Sequence, residues 1–164
     1  MKRNRQNYGL TPFPVMFLRK RSKRPLFDQQ IEQDRWTPRA IAVLSTAKDL
    51  ALPHLISASH ILLALETGNH QVSRLLKNLA ISPSAMLGQR APSSWSRKTE
   101  LYHEDFDRSL HELPHLAFEE AKAMGDSHVG IEHLLLFLAH TGVPGVDLSY
   151  ARIKQEWLRL MERG

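Results

Sequence analysis

Cysteine is missing from all 164 residues of the sequence. Disulfide bonds, thiolate nucleophiles and cysteine-ligated zinc are therefore excluded. Long apolar runs are missing too, since none approaches the roughly 20 residues that a membrane-spanning helix needs. No run alternates between apolar and polar residues as a half-buried strand does. Apolar residues still make up 42% of the chain, which is enough to bury a core. These absences favour a globular, helical protein.

Acidic residues are absent from the first 24 positions, which hold eight Lys and Arg. The other 140 residues hold 14 basic and 17 acidic side chains, so the net charge of +5 comes from this N-terminal segment. We interpret residues 1–34 as a flexible basic arm. Residues 1–24 could bind nucleic acid through charge alone, which is one alternative function. The apolar stretch at 12–18 holds two prolines and no cleavage site follows it, so we expect a cytoplasmic protein with no membrane contact.

Helical patterns lie on both sides of a polar linker at residues 88–105. Thr37 and Pro38 form a cap-then-proline signal that predicts a helix as far as Pro53. Three further helical patterns precede the linker and three follow it, the last beginning at about Asp147. The predicted fold class is all-α.

One short phrase occurs twice, as SASHILLAL at residues 57–65 and GIEHLLLFL at residues 130–138. An offset of 73 pairs the two histidines and three of the leucines. Such a repeat indicates two similar units, each with an apolar helix face that the other unit covers. We therefore predict one domain over residues 35–164, with repeat one at 36–87 and a shortened repeat two at 106–161.

The repeated segments carry a family resemblance. AFEEAKAMGDSHVGIEHLLLFL, at residues 117–138, closely resembles the Clp N-terminal repeat, which occurs twice at the head of Clp-family AAA+ unfoldases. TPRAIAVLSTAKDLA, at 37–51, and HILLALETGNHQVSRLLKNLAIS, at 60–82, resemble the matching parts of a first copy. The resemblance implies a pseudo-twofold pair of four-helix repeats, the second of them shortened here.

The same resemblance implies a function without catalysis and without a cofactor. No glycine lies in a G-x-x-x-x-G-K-[ST] loop, so this chain lacks the phosphate-binding loop of the unfoldase motor. The resemblance implies a free-standing protein-binding module that acts as adaptor, regulator or substrate receptor for a Clp-type ATP-dependent unfoldase or protease. Its expected partners are a Clp-type AAA+ ATPase, its peptidase or its substrates.

The G-x-E-H turn supplies the candidate site. In some members of the family, the acid of this turn binds the guanidinium of a phosphorylated arginine, which marks proteins for degradation. Carried over to this chain, the acid is Glu132, and its counterpart in the first copy is Ser59, which has no carboxylate. The resemblance implies structural roles for Gly130, His60 and His133, and the two histidines lack the accompanying acid and nucleophile that a catalytic site would need.

A second motif, HELPH at residues 111–115, matches the zinc-protease signature H-E-x-x-H. That chemistry needs His111 and His115 on one helical turn around a metal, with Glu112 as general base. Pro114 lies inside this turn, and its ring would clash with a carbonyl one turn earlier in a continuous helix. We expect a helix to start or kink at Pro114, and we predict no metal. A zinc hydrolase is the less favoured alternative.

Overall fold

The computed structural model describes residues 23–27, 33–68, 70–97 and 100–162. Within these ranges the protein is all-α, as the sequence predicts, with no strand among the described residues. Two short 3-10 turns, His103–Asp105 and Arg108–Leu110, precede the second group of helices. The α-helices are α1 (Pro38–Ala51), α2 (Ala58–Glu66), α3 (Gln71–Asn78), α4 (Pro83–Leu87), α5 (Leu113–Met124), α6 (Ile131–Thr141) and α7 (Tyr150–Glu162).

Local signals in the sequence set the helix ends. The Thr37 hydroxyl accepts a hydrogen bond from the Ala40 N–H, and Pro38 begins α1. Pro114 is the second residue of α5, so the expectation that a helix starts at this proline is confirmed. Gly125 ends α5 in the left-handed region with φ 83°, where a side chain would be strained.

Two leucine-rich helices form the centre of the core. α2 packs against α1, α3 and α4, while α6 packs against α1, α3, α5 and α7. The two helices also contact each other, and residues 61–65 and 134–138 are almost completely buried. The repeated phrase therefore forms the two helices that the other described α-helices cover. No described helix combines the length and the apolar character that crossing a bilayer requires.

Two isolated parallel bridges cross-connect the halves of the domain. Trp36 pairs with Val129, and Ile56 pairs with Phe106. The bonds are short: the Thr37 N–H donates to the Val129 carbonyl at 2.9 Å, and the Ile56 N–H donates to the Asp105 carbonyl at 2.8 Å. In each case the segment before a leucine helix pairs with the segment before the other half's first helix. A duplicated ancestor would pair its halves in this reciprocal way, and the duplication with a shortened second copy stays a prediction.

Part of the predicted arm belongs to the folded domain, which corrects the boundary of residues 1–34. Leu26 is only 2% exposed, and its N–H donates to the Leu101 carbonyl at 2.9 Å. The His103 N–H donates to the Arg24 carbonyl at the same distance, and Phe27 packs on Trp36. The sequence does not indicate this contact, because a single buried leucine leaves no periodic signal. Residues 1–22 and 28–32 lie outside the described part of the chain.

The predicted linker is also packed on the domain. The Trp95 indole Nε1–H donates to the Ala64 carbonyl at 2.9 Å, and the Ser96 N–H donates to the Thr46 hydroxyl at 2.7 Å. Lys48 forms a 2.8 Å ion pair with Asp105, at the end of this segment. The described part of the linker therefore forms a strap across α1 and α2, although its polar composition favours a loose connection.

We predict that Trp95→Ala lowers the free energy of unfolding by about 2 kcal/mol, because a half-buried ring and one hydrogen bond are lost. Trp95→Phe keeps most of the ring contact and should cost about 1 kcal/mol. Urea unfolding followed by far-UV circular dichroism measures both variants. An unfolding midpoint equal to that of the wild type for Trp95→Ala would show that the strap does not support the fold.

Candidate functional site

The predicted acid lies in the first turn of α6. Gly130 is the N-cap of α6 and has extended backbone angles, φ −97° and ψ −179°. The Glu132 carboxylate folds back over Gly130 and occupies the space that a Cβ atom on that glycine would need. The Glu132 side chain keeps 22% of its surface exposed. The glycine therefore provides the space that this carboxylate occupies, at a helix end that favours negative charge.

His133 connects this turn to a second carboxylate. Its fully buried ring accepts the Gly130 N–H at Nδ1, at 2.8 Å, and lies 3.2 Å from the Asp126 carboxylate at Nε2. Because Nδ1 is an acceptor here, the ring proton belongs on Nε2, which donates to Asp126. The Glu132 carboxylate is 3.5 Å from Nδ1. Asp126 therefore holds the ring of His133.

His60 has the same capping position at the start of α2. Its Nδ1 accepts the Ser57 N–H at 3.0 Å and is 2.9 Å from the Ser57 hydroxyl. A glutamate or glutamine normally takes this position in a capping box, returning to the backbone N–H of the N-cap. Burial, with a smaller effect from the nearby His54, lowers the pKa of His60 below its ordinary value of 6.5. His60 is thus a helix cap that works in its neutral form.

Asp126 is the site residue that the sequence analysis misses. It precedes α6 and stays 51% exposed, while it accepts a hydrogen bond from Nε2 of the buried ring. Its counterpart at the 73-residue offset is Pro53, so the repeat offers no pointer to it. Only the turn after α5 brings this carboxylate back to the ring of His133.

The two predicted acid positions are chemically unequal. Ser59 lies in the first turn of α2, as Glu132 lies in the first turn of α6. Ser59 is half-buried and offers a hydroxyl. A guanidinium would find a carboxylate pair at Glu132 and Asp126, but no charge at Ser59.

The described residues contain one group of three side chains whose possible ligand atoms lie within 4.8 Å of one another, namely Asp126, Glu132 and His133. Both nitrogens of the buried ring already have protein partners, since Nδ1 accepts from Gly130 and Nε2 donates to Asp126. In this arrangement the ring has no lone pair to offer a metal. The group is therefore a hydrogen-bonded network around a helix start.

The H-E-x-x-H motif does not have the geometry that the zinc-protease chemistry needs. α5 begins at Leu113, so His111 and Glu112 precede the helix while His115 lies in its first turn. Among the described residues, these three do not form a group of gathered ligand atoms. The zinc-hydrolase alternative therefore has no support from this segment.

The fold and the site together define an all-α domain built around two capped leucine helices. The model of the family described as the Clp repeat (R) N-terminal domain matches residues 35–146. The match covers more than half of the chain, and the chain belongs to this family. Domains of this family are non-catalytic interaction modules associated with Clp proteins. A search of curated proteins gives no match to the chain.

We predict that the free energy of unfolding decreases as the pH is lowered through 6.5. The reason is that the pKa values of His60 and His70 are lowered in the folded state, in both cases chiefly by burial. Below that pH the unfolded chain binds protons more readily than the folded chain, so the stabilisation is full above pH 6.5 and lost below it. His60→Gln keeps an acceptor for the cap and removes the titration. Urea midpoints at about pH 7.5 and about pH 5.5 should differ less for this variant than for the wild type. An unchanged difference would contradict the neutral cap at His60.

We predict that His133→Ala lowers the free energy of unfolding by about 3 kcal/mol, since it leaves a cavity and an unpaired N–H at Gly130. The matched control is His128→Ala, five positions earlier, where an exposed ring is removed. This control should stay within about 0.5 kcal/mol of the wild type. Chemical denaturation of both variants measures the difference, and equal stabilities would show that the ring is not a structural cap.

Proposed function

We propose that this protein binds other proteins on behalf of a Clp-type ATP-dependent unfoldase or protease, as its adaptor, regulator or substrate receptor. The observation that carries the proposal is the match to the Clp repeat N-terminal family over residues 35–146. The proposed partners are a Clp-type AAA+ ATPase, its peptidase or its substrates, and the proposed location is the cytoplasm.

Glu132 is the proposed contact for a marked substrate. Its carboxylate and that of Asp126 are both accessible and lie on either side of the buried His133 ring. The guanidinium of a phosphorylated arginine could form charge-assisted hydrogen bonds with such a pair. Because Ser59 lacks a carboxylate, we propose one such site per chain.

Peptide binding tests this contact. A peptide with a phosphorylated arginine, and the same peptide with an ordinary arginine, are titrated against the full chain by fluorescence anisotropy. We predict that Glu132→Gln weakens binding of the phosphorylated peptide about tenfold, the effect of losing one charged hydrogen bond. Gly130→Ala should also weaken it, because the new methyl group displaces the Glu132 carboxylate.

Glu112→Gln is the matched control, since it removes an exposed carboxylate that lies outside the turn before α6. It should leave the affinity for the phosphorylated peptide unchanged. Ser59→Glu alone should leave the stoichiometry at one peptide, because Ser57 and Pro53 stand where the second copy has Gly130 and Asp126. Equal binding of the two peptides, or an unaffected Glu132→Gln variant, would refute the phospho-arginine site without touching the broader proposal.

Co-purification tests the broader proposal. The full chain is captured from its native cells, and the bound molecules are identified by mass spectrometry and nucleic-acid staining. Recovery of a Clp ATPase or its peptidase is the expected result. Recovery of nucleic acid alone would overturn the proposal in favour of binding through residues 1–24, most of which lie outside the described residues.

A further inference from the structure

A cavity of about 410 Å³ lies beside the start of α5, away from the G-x-E-H turn. Phe27, Trp36 and Phe118 give it an apolar wall. Its other walls carry nitrogen and oxygen donors from three separate parts of the chain: the His103 turn, the segment before α5, and α5 itself. Metal sites commonly have apolar residues around their ligand side chains, and these residues control the access of solvent.

Three imidazoles line this cavity. His103 is half-buried in a 3-10 turn, while His111 and His115 are exposed on either side of the α5 start. The ring centroids of His103 and His111 are 6.2 Å apart, with ring planes at 81°. Two imidazoles that share a tetrahedral zinc ion have centroids roughly 5 Å apart, given Zn–N bonds of about 2.0 Å. The observed centroid separation of 6.2 Å is longer than this, so the two rings would have to move closer together to share one ion.

Glu119 adds an oxygen donor to the same cavity. It follows His115 by four residues on α5, so both side chains lie on one face of the helix. Lys122 is the main cause of the lowered pKa of Glu119, and the charge of His115 also contributes, as expected for neighbouring groups. The Glu119–Lys122 ion pair, at 3.0 Å, is exposed and costs little to release.

We propose that His103, His111, His115 and Glu119 bind one divalent transition-metal ion, such as Zn²⁺, at the mouth of this cavity. Three imidazoles and one carboxylate make a four-ligand set typical of zinc. The ligand atoms are not yet gathered, because the described group within 4.8 Å is the one around His133. The exposure of His111, His115 and Glu119 leaves them free to rotate inward.

This ion would link α5 to the N-terminal segment, since the backbone of His103 is bonded to that of Arg24. The role is structural or regulatory, and it uses neither Glu112 nor the H-E-x-x-H geometry. Arg35 also lines the cavity, and its charge opposes a cation there. Arg35→Gln should therefore tighten metal binding.

The test uses the full, untagged chain after treatment with a chelator. Isothermal titration with Zn²⁺ should give one equivalent, and Co²⁺ should give the intense visible bands of a four-coordinate ion. His111→Ala and His115→Ala should each weaken Zn²⁺ binding at least tenfold, with a smaller loss for Glu119→Gln. His54→Ala and His128→Ala, which remove exposed rings elsewhere, are the matched controls and should bind as the wild type does.

Thermal unfolding without metal shows whether each variant folds, which is expected because the mutated side chains are exposed. Zn²⁺ should raise the unfolding temperature of the wild type and not that of the His111→Ala, His115→Ala double variant. Failure of the wild type to bind one equivalent would overturn the proposal. A loss of binding on Asp126→Asn, with His111→Ala unaffected, would place the ion at the other group and overturn it equally.

Discussion

The burial of α2 and α6 is the constraint on which the rest of the structure depends. Both helices are apolar over most of their circumference, and residues 61–65 and 134–138 are almost completely buried. They contact each other at the centre of the domain, and the remaining α-helices pack around them. This arrangement removes a continuous block of leucine side chains from water, which is the dominant favourable term in folding. The strap at Trp95 and the contact at Leu26 extend the same cover.

A buried helix start creates a second requirement, because its free backbone N–H groups lose water. His60 and His133 meet this requirement with a ring nitrogen that accepts the N–H of the N-cap residue. Imidazole differs from the more common glutamate in carrying no charge when it accepts, which suits a buried position. Its second nitrogen can still reach outward, as the bond from His133 to Asp126 shows. The cap thereby connects the core to an accessible carboxylate.

The starts of the two leucine helices differ at the surface, although the phrase that forms them is repeated. Residues 61–65 and 134–138 are similarly buried, but Ser59 stands at the start of α2 where Glu132 stands at the start of α6. The cavity beside α5 is likewise built from segments without counterparts in a repeat pattern, including the His103 turn. A fold does not carry its functional site with it, so residues at the helix starts can differ between similar helices. The proposed peptide and metal contacts both depend on such positions.

The sequence by itself determined the helical class, the start of α5 at Pro114 and the leucine helices, because caps and periodicity are local properties of the chain. It also supplied the family resemblance and Glu132 as a candidate. Only the tertiary structure decided that Asp126 joins His133, that Leu26 and Trp95 pack on the domain, and that three histidines share one cavity. The physical reason is that these contacts join residues without a common period, whose distances are set by how the helices pack.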